Sequence, residues 1–225
     1  MVRLTVMSTP SFTPAAGNPK HTKRYDTVVK LLTREKLWRA EVIRQLRLAP
    51  GQCVADVGCG TASQAVLIKQ RYPQVRVVGV DPDPEILQIA RAKAAKAGVD
   101  VDLRIGMGDH ALDLLGPETA DRALSSLVLH QCPLPMKSAI LDDMFAVLRP
   151  GGELVIADYG WQRTALMRLA FRYVQMVDGR SDTQPNADGI VPELIARAGF
   201  VDVTEAAVFP TISGSISVYH ALKPR

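Results

Sequence analysis

The stretch Val54 Ala55 Asp56 Val57 Gly58 Cys59 Gly60 Thr61 Ala62 decides the fold of this chain of 225 residues. Its apolar run, which ends in an acid followed by two glycines, predicts a buried strand that turns sharply into a helix. Glycines at the turn permit positive φ and let another molecule approach the backbone closely. The first N–H groups of the following helix have no helical partners and face the space above the turn. The stretch therefore predicts a cradle for a small polar molecule.

Two further acids follow predicted strands at informative distances. Residues 74–81 read as a second buried strand ending at Asp81, which lies 23 residues beyond Gly58. An acid about 20 residues past a glycine turn can accept hydrogen bonds from ribose hydroxyls. A third strand over residues 101–105 leads into a turn that contains Asp109. Helix capping alone does not explain acids at the ends of three successive strands, so we predict that they share a nucleoside site.

The alternation of strands and helices continues along the chain. It predicts an α/β fold with a doubly wound, mostly parallel seven-stranded sheet and helices on both faces. Strands over 200–209 and 212–222, joined through Pro210, predict a closing antiparallel hairpin, whereas a dinucleotide domain would continue with parallel units. The other predicted elements are helices over 61–71, 84–97 and 136–148 and strands over 122–129 and 153–158.

Two residues argue against a dinucleotide at the first turn. The G-x-G-x-x-G fingerprint, or its form ending in alanine, requires a tiny residue where this chain has Ser63. Asp56 would repel a pyrophosphate, but it suits an ammonium group. S-adenosylmethionine carries an ammonium, a carboxylate and a sulfonium, so an acidic turn fits its methionine end.

At this motif the chain resembles the class I S-adenosylmethionine-dependent methyltransferases, whose first motif reads acid-x-Gly-x-Gly-x-Gly. Only the last glycine differs, as Ala62, and we expect that the backbone there needs no glycine-only conformation. Nearly the whole chain looks like the branch that includes the ubiquinone and menaquinone C-methyltransferases. That likeness rests on residues 25–26, 32–35, 126–131, 148–154 and 217–220.

The resemblance implies S-adenosyl-L-methionine as cofactor and S-adenosyl-L-homocysteine as product. In this family the carboxylate matching Asp109 accepts from the adenine amine, and the matches to Thr61, Asp81, His110 and Ser126 also hold the cofactor. The full set of predicted cofactor residues is Asp56, Gly58, Cys59, Gly60, Thr61, Asp81, Pro82, Asp109, His110 and Ser126.

The acceptor side is predicted from residues beyond the fourth strand. His130 follows that strand, and imidazole has an unperturbed pKa suited to a general base, so His130 is the candidate catalytic residue. The candidate substrate contacts are Tyr25, Gln131, Arg180 and Asn186, and Arg39 is a further candidate near the cofactor. The quinone enzymes carry an Arg-Asn pair where this chain has His130 Gln131, which leaves quinone-ring methylation open.

Length and composition predict one domain over residues 25–225, with a helical cover over 25–48 and a lid-like insertion over 160–189. The lid is expected to contain a helical segment over 161–177, a polar loop over 178–189, and Asp188 as the cap of the next helix.

No apolar run approaches the ~18 residues of a membrane span, and the first residues lack a signal-peptide core, so a cytoplasmic location is expected. Cys53, Cys59 and Cys132 predict buried packing residues rather than a disulfide framework or a reactive thiol, and no spacing suggests a metal site.

The formal charge of +4 belongs to the first residues of the chain. Residues 1–24 contain Arg3, Lys20, Lys23 and Arg24 and no acid, so the rest of the chain is neutral. A neutral body argues against a nucleic-acid partner. The basic arm over residues 1–24 is a candidate for peripheral membrane contact, and a homodimer is left open.

The sequence thus predicts a methyltransferase acting on a small molecule, with an aromatic or quinone-like carbon as the first acceptor and O- or N-methylation as the alternative. An NAD-dependent oxidoreductase and a non-catalytic nucleoside-binding protein remain as alternatives of other classes.

Overall fold

The computed structural model describes residues 34–225. The predicted arm over residues 1–24, Tyr25 and the following residues to 33 lie outside the described residues. The end of the predicted helical cover is the helix α1, Glu35–Leu46. This helix buries Trp38, Val42 and Leu46, which belong to the same side of a helix and pack into one of the two cores.

One seven-stranded sheet organises the described residues, in the order β3-β2-β1-β4-β5-β7-β6. Strands β1 to β5 pair in parallel, whereas β7 runs antiparallel to both β5 and β6. The predicted α/β class and the closing hairpin are therefore confirmed. The strands are β1 Cys53–Val57, β2 Arg76–Asp81, β3 Asp102–Ile105, β4 Ala120–Ser126, β5 Leu148–Tyr159, β6 Val201–Thr211 and β7 Gly214–Leu222.

Helices cover both faces of this sheet. Successive side chains of a strand point to opposite faces; along β5, Leu154 and Ile156 belong to one core, and Val155 and Ala157 belong to the other. The first core includes residues of α4, α5 and α8, and the second includes residues of α1, α2, α3 and α6. The remaining helices are α2 Ser63–Arg71, α3 Pro84–Ala97, α4 Ala111–Leu115, α5 Leu134–Val147, α6 Ala165–Asp178, α7 Arg180–Asp188 and α8 Val191–Arg197.

The predicted polar loop over residues 178–189 is wrong, because it contains the helix α7. Its sequence is polar, but Thr183 is buried and donates from its hydroxyl to the carbonyl of Gly179. Asp188 does not cap the next helix either; it ends α7 and accepts a hydrogen bond from Gln184. The helix α8 begins after Ile190 without a side-chain cap.

The hairpin joins its strands differently from the prediction. Pro210 lies within β6, and the turn falls at residues 212–213. A proline is tolerated there because β6 is an edge strand, where one row of N–H groups needs no sheet partner. The hydroxyl of Thr211 donates to the carbonyl of Gly214 at 2.8 Å and thereby closes the turn.

Strand β4 ends at Ser126, three residues before the predicted end. The chain leaves the sheet because Leu127 takes the left-handed conformation, with φ of 57°. A short 3-10 turn over Leu129–Gln131 follows. The departure carries residues 127–133 over the carboxyl ends of the strands.

Candidate active site

A cavity of about 350 Å³ lies at the carboxyl ends of β1, β2 and β4. This volume falls in the range of small-molecule sites. Seven of the predicted cofactor residues line it, namely Gly58, Cys59, Gly60, Thr61, Asp81, Pro82 and Ser126. Asp56, Asp109 and His110 do not line it.

The glycine turn forms the floor of this cavity. The N–H groups of Gly58 and Cys59 both donate to the carbonyl of Val80, at 2.8 and 3.0 Å, which fixes the turn against β2. Gly58 and Gly60 have φ of 73° and 54°. Ala62 is also left-handed, with φ of 56°; this region favours glycine but is open to other residues, so the expectation that no glycine-only conformation is needed there holds.

We expect Gly58→Ala to destabilise the fold by about 2 to 4 kcal/mol. A Cβ at this position would lie 2.3 Å from Cγ2 of Val128, in addition to the cost of the positive φ. Gly51→Ala is the matched control, because Gly51 has φ of 82° and no atom within 4 Å of an added Cβ. The free energies of unfolding of the two variants, measured in urea, should differ by the cost of the contact with Val128. Equal losses of stability in the two variants would contradict this explanation.

Asp81 presents a fixed carboxylate to the cavity. Its Oδ2 accepts from the N–H of Gly60 at 2.9 Å, and its Oδ1 accepts from the N–H of Asp83 at 3.1 Å. Burial raises the pKa of this carboxyl, and the two N–H donors oppose that effect. The carboxylate is therefore held in one orientation before anything binds, with remaining lone pairs for two hydroxyl donors.

Asp56 lies elsewhere than predicted. It is fully buried within β1, and neither carboxylate oxygen has a hydrogen-bond partner among the described residues. Burial raises the pKa of Asp56 to about 7, despite the opposing charge of Arg39. The prediction of three carboxylates along one open rim is not met at Asp56, because this residue is fully buried and does not line the cavity.

Asp109 and His110 diverge at the end of the turn that follows β3. Oδ1 of Asp109 is buried without a hydrogen-bond partner among the described residues. Its neighbours Met107 and Gly108 line the cavity. His110 is exposed, and its ring pairs with Asp113 at 3.3 Å, away from the cavity.

His130 does not fit the predicted role of general base. The ring is buried outside the cavity lining, with Nδ1 2.7 Å from Oδ1 of Asp158 and Nε2 3.5 Å from Oδ2 of Asp178. Burial alone would lower the pKa of His130, but the two carboxylates raise it to about 9. The ring is therefore a protonated bridge between β5 and α6, with no lone pair available to accept a proton.

The sequence analysis missed Asp158, which organises the loop above β4. One carboxylate oxygen accepts from the N–H groups of Val128 and Leu129, at 3.0 and 2.7 Å. Val128 lines the cavity, so Asp158 shapes that wall through the backbone. The signal was present, because Asp158 closes the fifth strand as other acids close the first two.

Lys137 ties the same loop to α7. It is fully buried, and its ammonium donates to the carbonyls of Leu129 and Asp182. Burial lowers the pKa of Lys137. Asp182 lines the cavity from α7, which gives the predicted lid a point of contact with the site.

The predicted substrate residues separate in the structure. Gln131 lines the cavity, but Arg180 is exposed and lies outside it. Asn186 is fully buried and donates to the carbonyl of Tyr159 at 2.9 Å, which makes it a tether between α7 and β5. These placements correct the expectation for Arg180 and Asn186, and Tyr25 lies outside the described residues.

Arg39 lines the cavity together with Glu35, and both come from α1. Its guanidinium pairs with Glu35 at 2.5 Å and donates to the side chain of Gln64 at 3.2 Å. These contacts hold one positive charge near the glycine turn.

No group of three or more His, Cys, Asp and Glu side chains within residues 34–225 is placed to hold a metal ion. Within the same residues, no helix has the length and apolar character needed to cross a membrane.

Comparisons with known proteins agree with this geometry. Residues 54–152 match the family model of the methyltransferase domain. A demethylmenaquinone methyltransferase of Listeria monocytogenes is 31% identical over 152 residues, 64% of this chain and 61% of that protein. An arsenite methyltransferase of Halobacterium salinarum is 34% identical over 113 residues, 49% of this chain and 28% of that protein.

A solved structure shares the fold. Phosphoethanolamine N-methyltransferase 2 of Haemonchus contortus, in complex with S-adenosyl-L-methionine, superposes with a TM-score of 0.73 at 15% identity. The match covers 97% of this chain and 61% of that one.

The fold, the glycine turn and the match over residues 54–152 make this chain similar to the class I S-adenosylmethionine-dependent methyltransferases, and the match spans less than half of the chain. Within that class, it resembles the menaquinone branch. The chain spans 61% of the length of the Listeria relative.

Proposed function

We propose that this protein is an S-adenosylmethionine-dependent methyltransferase that acts on a small molecule. The observation that carries the proposal is the cavity above the glycine turn, with the carboxylate of Asp81 fixed by two N–H donors at its edge. Gly58 supports the fit, because a Cβ there would press on Val128, which lines the same cavity. The family match to residues 54–152 points to the same cofactor.

The cofactor would make three groups of contacts with the described residues. Asp81 would accept from the two ribose hydroxyls, and the buried, unpartnered Oδ1 of Asp109 would accept from the adenine amine. The turn at Gly58 to Thr61 and the charge of Arg39 would hold the methionine end. Pro82 and Ser126 complete the wall, and Cys59 contributes packing rather than thiol chemistry, since burial raises its pKa well above the ordinary value.

When bound, the sulfonium supplies an activated methyl carbon, which an acceptor atom attacks in line as the carbon–sulfur bond breaks. The protein's part is orientation of the acceptor, which can supply roughly 7 to 11 kcal/mol of the barrier. The loop held by Asp158 and the helix α7 held by Lys137 form that part of the wall. Gln131 and Asp182 are the polar side chains that these elements bring to the cavity.

Asp182 replaces His130 as the candidate proton acceptor. It lines the cavity, whereas the His130 ring is enclosed by carboxylates. If it takes a proton from the acceptor, Asp182→Asn should lower kcat about 100-fold while cofactor affinity changes less than twofold. Gln184→Glu, on the same helix, is a control for changed charge on α7, and a kcat unchanged by Asp182→Asn would remove the role.

An aromatic or quinone-like carbon is the first acceptor we propose. The 31% identity to a demethylmenaquinone methyltransferase supports it. O- or N-methylation of a small metabolite is the alternative, because His130 Gln131 stand where the quinone enzymes carry Arg-Asn.

The deciding experiment has two stages. Isothermal titration with S-adenosyl-L-methionine, S-adenosyl-L-homocysteine and NAD⁺ should show binding of the first two alone. A panel of naphthoquinols, phenols and amines with methyl-labelled cofactor should then show label in one acceptor class. Binding of NAD⁺ instead would support an oxidoreductase, and binding of the sulfur nucleosides without transfer to any acceptor would support a non-catalytic protein.

A further inference from the structure

The outer face of α6 is apolar and exposed among the described residues. Leu166 is 75% exposed, Leu169 59%, Tyr173 54% and Met176 80%. At the α-helical repeat these positions and Val177 fall within an arc of about 100°. The opposite side of the same helix carries Phe171 and Val174, which are buried in the core. A contiguous apolar face of this kind marks an interaction surface.

Positive charge borders this face. Arg168 and Arg172 follow one edge of the apolar arc, and both are exposed. No acid occurs between Asp158 and Asp178, and Asp178 turns toward the ring of His130. Lying parallel to a surface, the helix would therefore present apolar side chains with arginines along one edge.

We propose that α6 docks on an anionic lipid bilayer surface. A helix with an apolar face and arginines at its border lies in the plane of the interface, where apolar burial and attraction to anionic headgroups add. Tyr173 suits that position because its ring is apolar and its hydroxyl reaches the headgroups. The helix runs directly into α7, whose Asp182 lines the cavity, so the docked face adjoins the acceptor side of the site.

Charge disfavours two other occupants of this face, namely residues 1–24 of the same chain and a second copy of the chain. Residues 1–24 of the same chain carry four basic side chains and no acid, so they would meet Arg168 and Arg172 with like charge. A second copy pairing antiparallel through the same face would place the arginine edges of both copies along one seam. Anionic lipid complements the helix and the basic arm together.

The test is sedimentation of the full chain with vesicles of phosphatidylcholine containing one third phosphatidylglycerol, and with vesicles of phosphatidylcholine alone. We expect Leu169→Glu with Met176→Glu to lower the partition coefficient on the anionic vesicles about tenfold or more. Leu37→Glu with Leu67→Glu is the matched control, since both are exposed apolar residues on other helices, 47% and 40% exposed. The double variant Arg168→Gln with Arg172→Gln should lower the partition coefficient on the anionic vesicles about tenfold. The double variant Arg71→Gln with Arg91→Gln has the same net charge and should lower it much less.

Three outcomes would overturn the proposal. The parent protein fails to bind anionic vesicles, or the α6 variants bind as well as the parent, which assigns binding to the basic arm. The third is a dimer, seen by analytical ultracentrifugation without lipid, that the α6 variants dissociate, since the face then joins two copies. Circular dichroism verifies that each variant is folded, and the measurement needs no methyl transfer, so its result is separate from the proposed activity.

Discussion

Replacing Asp81 with alanine is expected to weaken the binding of S-adenosyl-L-homocysteine by about 100-fold or more. Hydrogen bonds to a charged group contribute about 1.5 to 3 kcal/mol each, and two hydroxyls would lose their acceptor together. The variant also frees the N–H groups of Gly60 and Asp83, which the carboxylate holds at 2.9 and 3.1 Å. Isothermal titration at constant pH gives the change in Kd.

Two further variants separate recognition from folding in this experiment. Asp81→Asn keeps one acceptor oxygen and the shape of the side chain, so it should fall between the parent and Asp81→Ala. Asp113→Ala removes an exposed carboxylate outside the cavity and should leave Kd within twofold. If Asp81→Ala binds the product as tightly as the parent while remaining folded, the ribose assignment is wrong and the cavity holds something else.

Replacing His130 with alanine is expected to lower the free energy of unfolding by about 3 to 5 kcal/mol. The ring bridges Asp158 and Asp178, and removing one partner of a buried ion pair leaves a buried charge without compensation. The variant also loses the edge contact between the His130 and Tyr159 rings, whose centroids are 5.0 Å apart. Urea unfolding at pH 7 measures the loss, with His110→Ala as the exposed control, for which we expect less than about 0.5 kcal/mol.

The stabilities of the parent and of His130→Ala should depend differently on pH. The folded state raises the pKa of His130 to about 9, above the unfolded value of about 6.5, because Asp158 and Asp178 outweigh the effect of burial. The stabilisation from this ring is therefore complete below about pH 6.5 and is lost as the pH rises through about 9. The gap between parent and His130→Ala should narrow from pH 7 to pH 9.5. A gap that is constant over this range would mean that the ring is neutral in the folded protein.

The glycine turn and the neighbouring Asp81 follow from local sequence. A buried strand such as β1 must turn at its carboxyl end, and glycines 58 and 60 adopt the positive φ that this turn requires. Asp81 closes the neighbouring parallel strand, so the topology brings it to the same edge of the sheet. Both relations depend on residues close together in sequence or on adjacent strands, and the sequence predicted them.

The sequence misplaced residues whose partners lie far along the chain. Asp56 and His130 have side chains suited to an open site, but their environments are decided by other elements. Asp56 is fully buried within β1, and His130 is enclosed by Asp158 and Asp178, which are 28 and 48 residues further on. The polarity of α7 concealed a helix because Thr183 and Asn186 are buried there, and their side chains donate hydrogen bonds to the carbonyls of Gly179 and Tyr159.

By itself, the sequence determined the strand–helix alternation, the closing hairpin and the glycine turn with its acid on the next strand. These features depend on hydrophobic periodicity and turn residues, which can be recognised within short stretches of sequence. The tertiary structure decided which polar side chains reach the cavity and which become buried bridges. That outcome depends on burial and on charges brought together from distant elements, since the same imidazole or carboxylate is open to a ligand or locked in an ion pair according to its neighbours. It also decided that the apolar positions of α6 divide between the core and an exposed face.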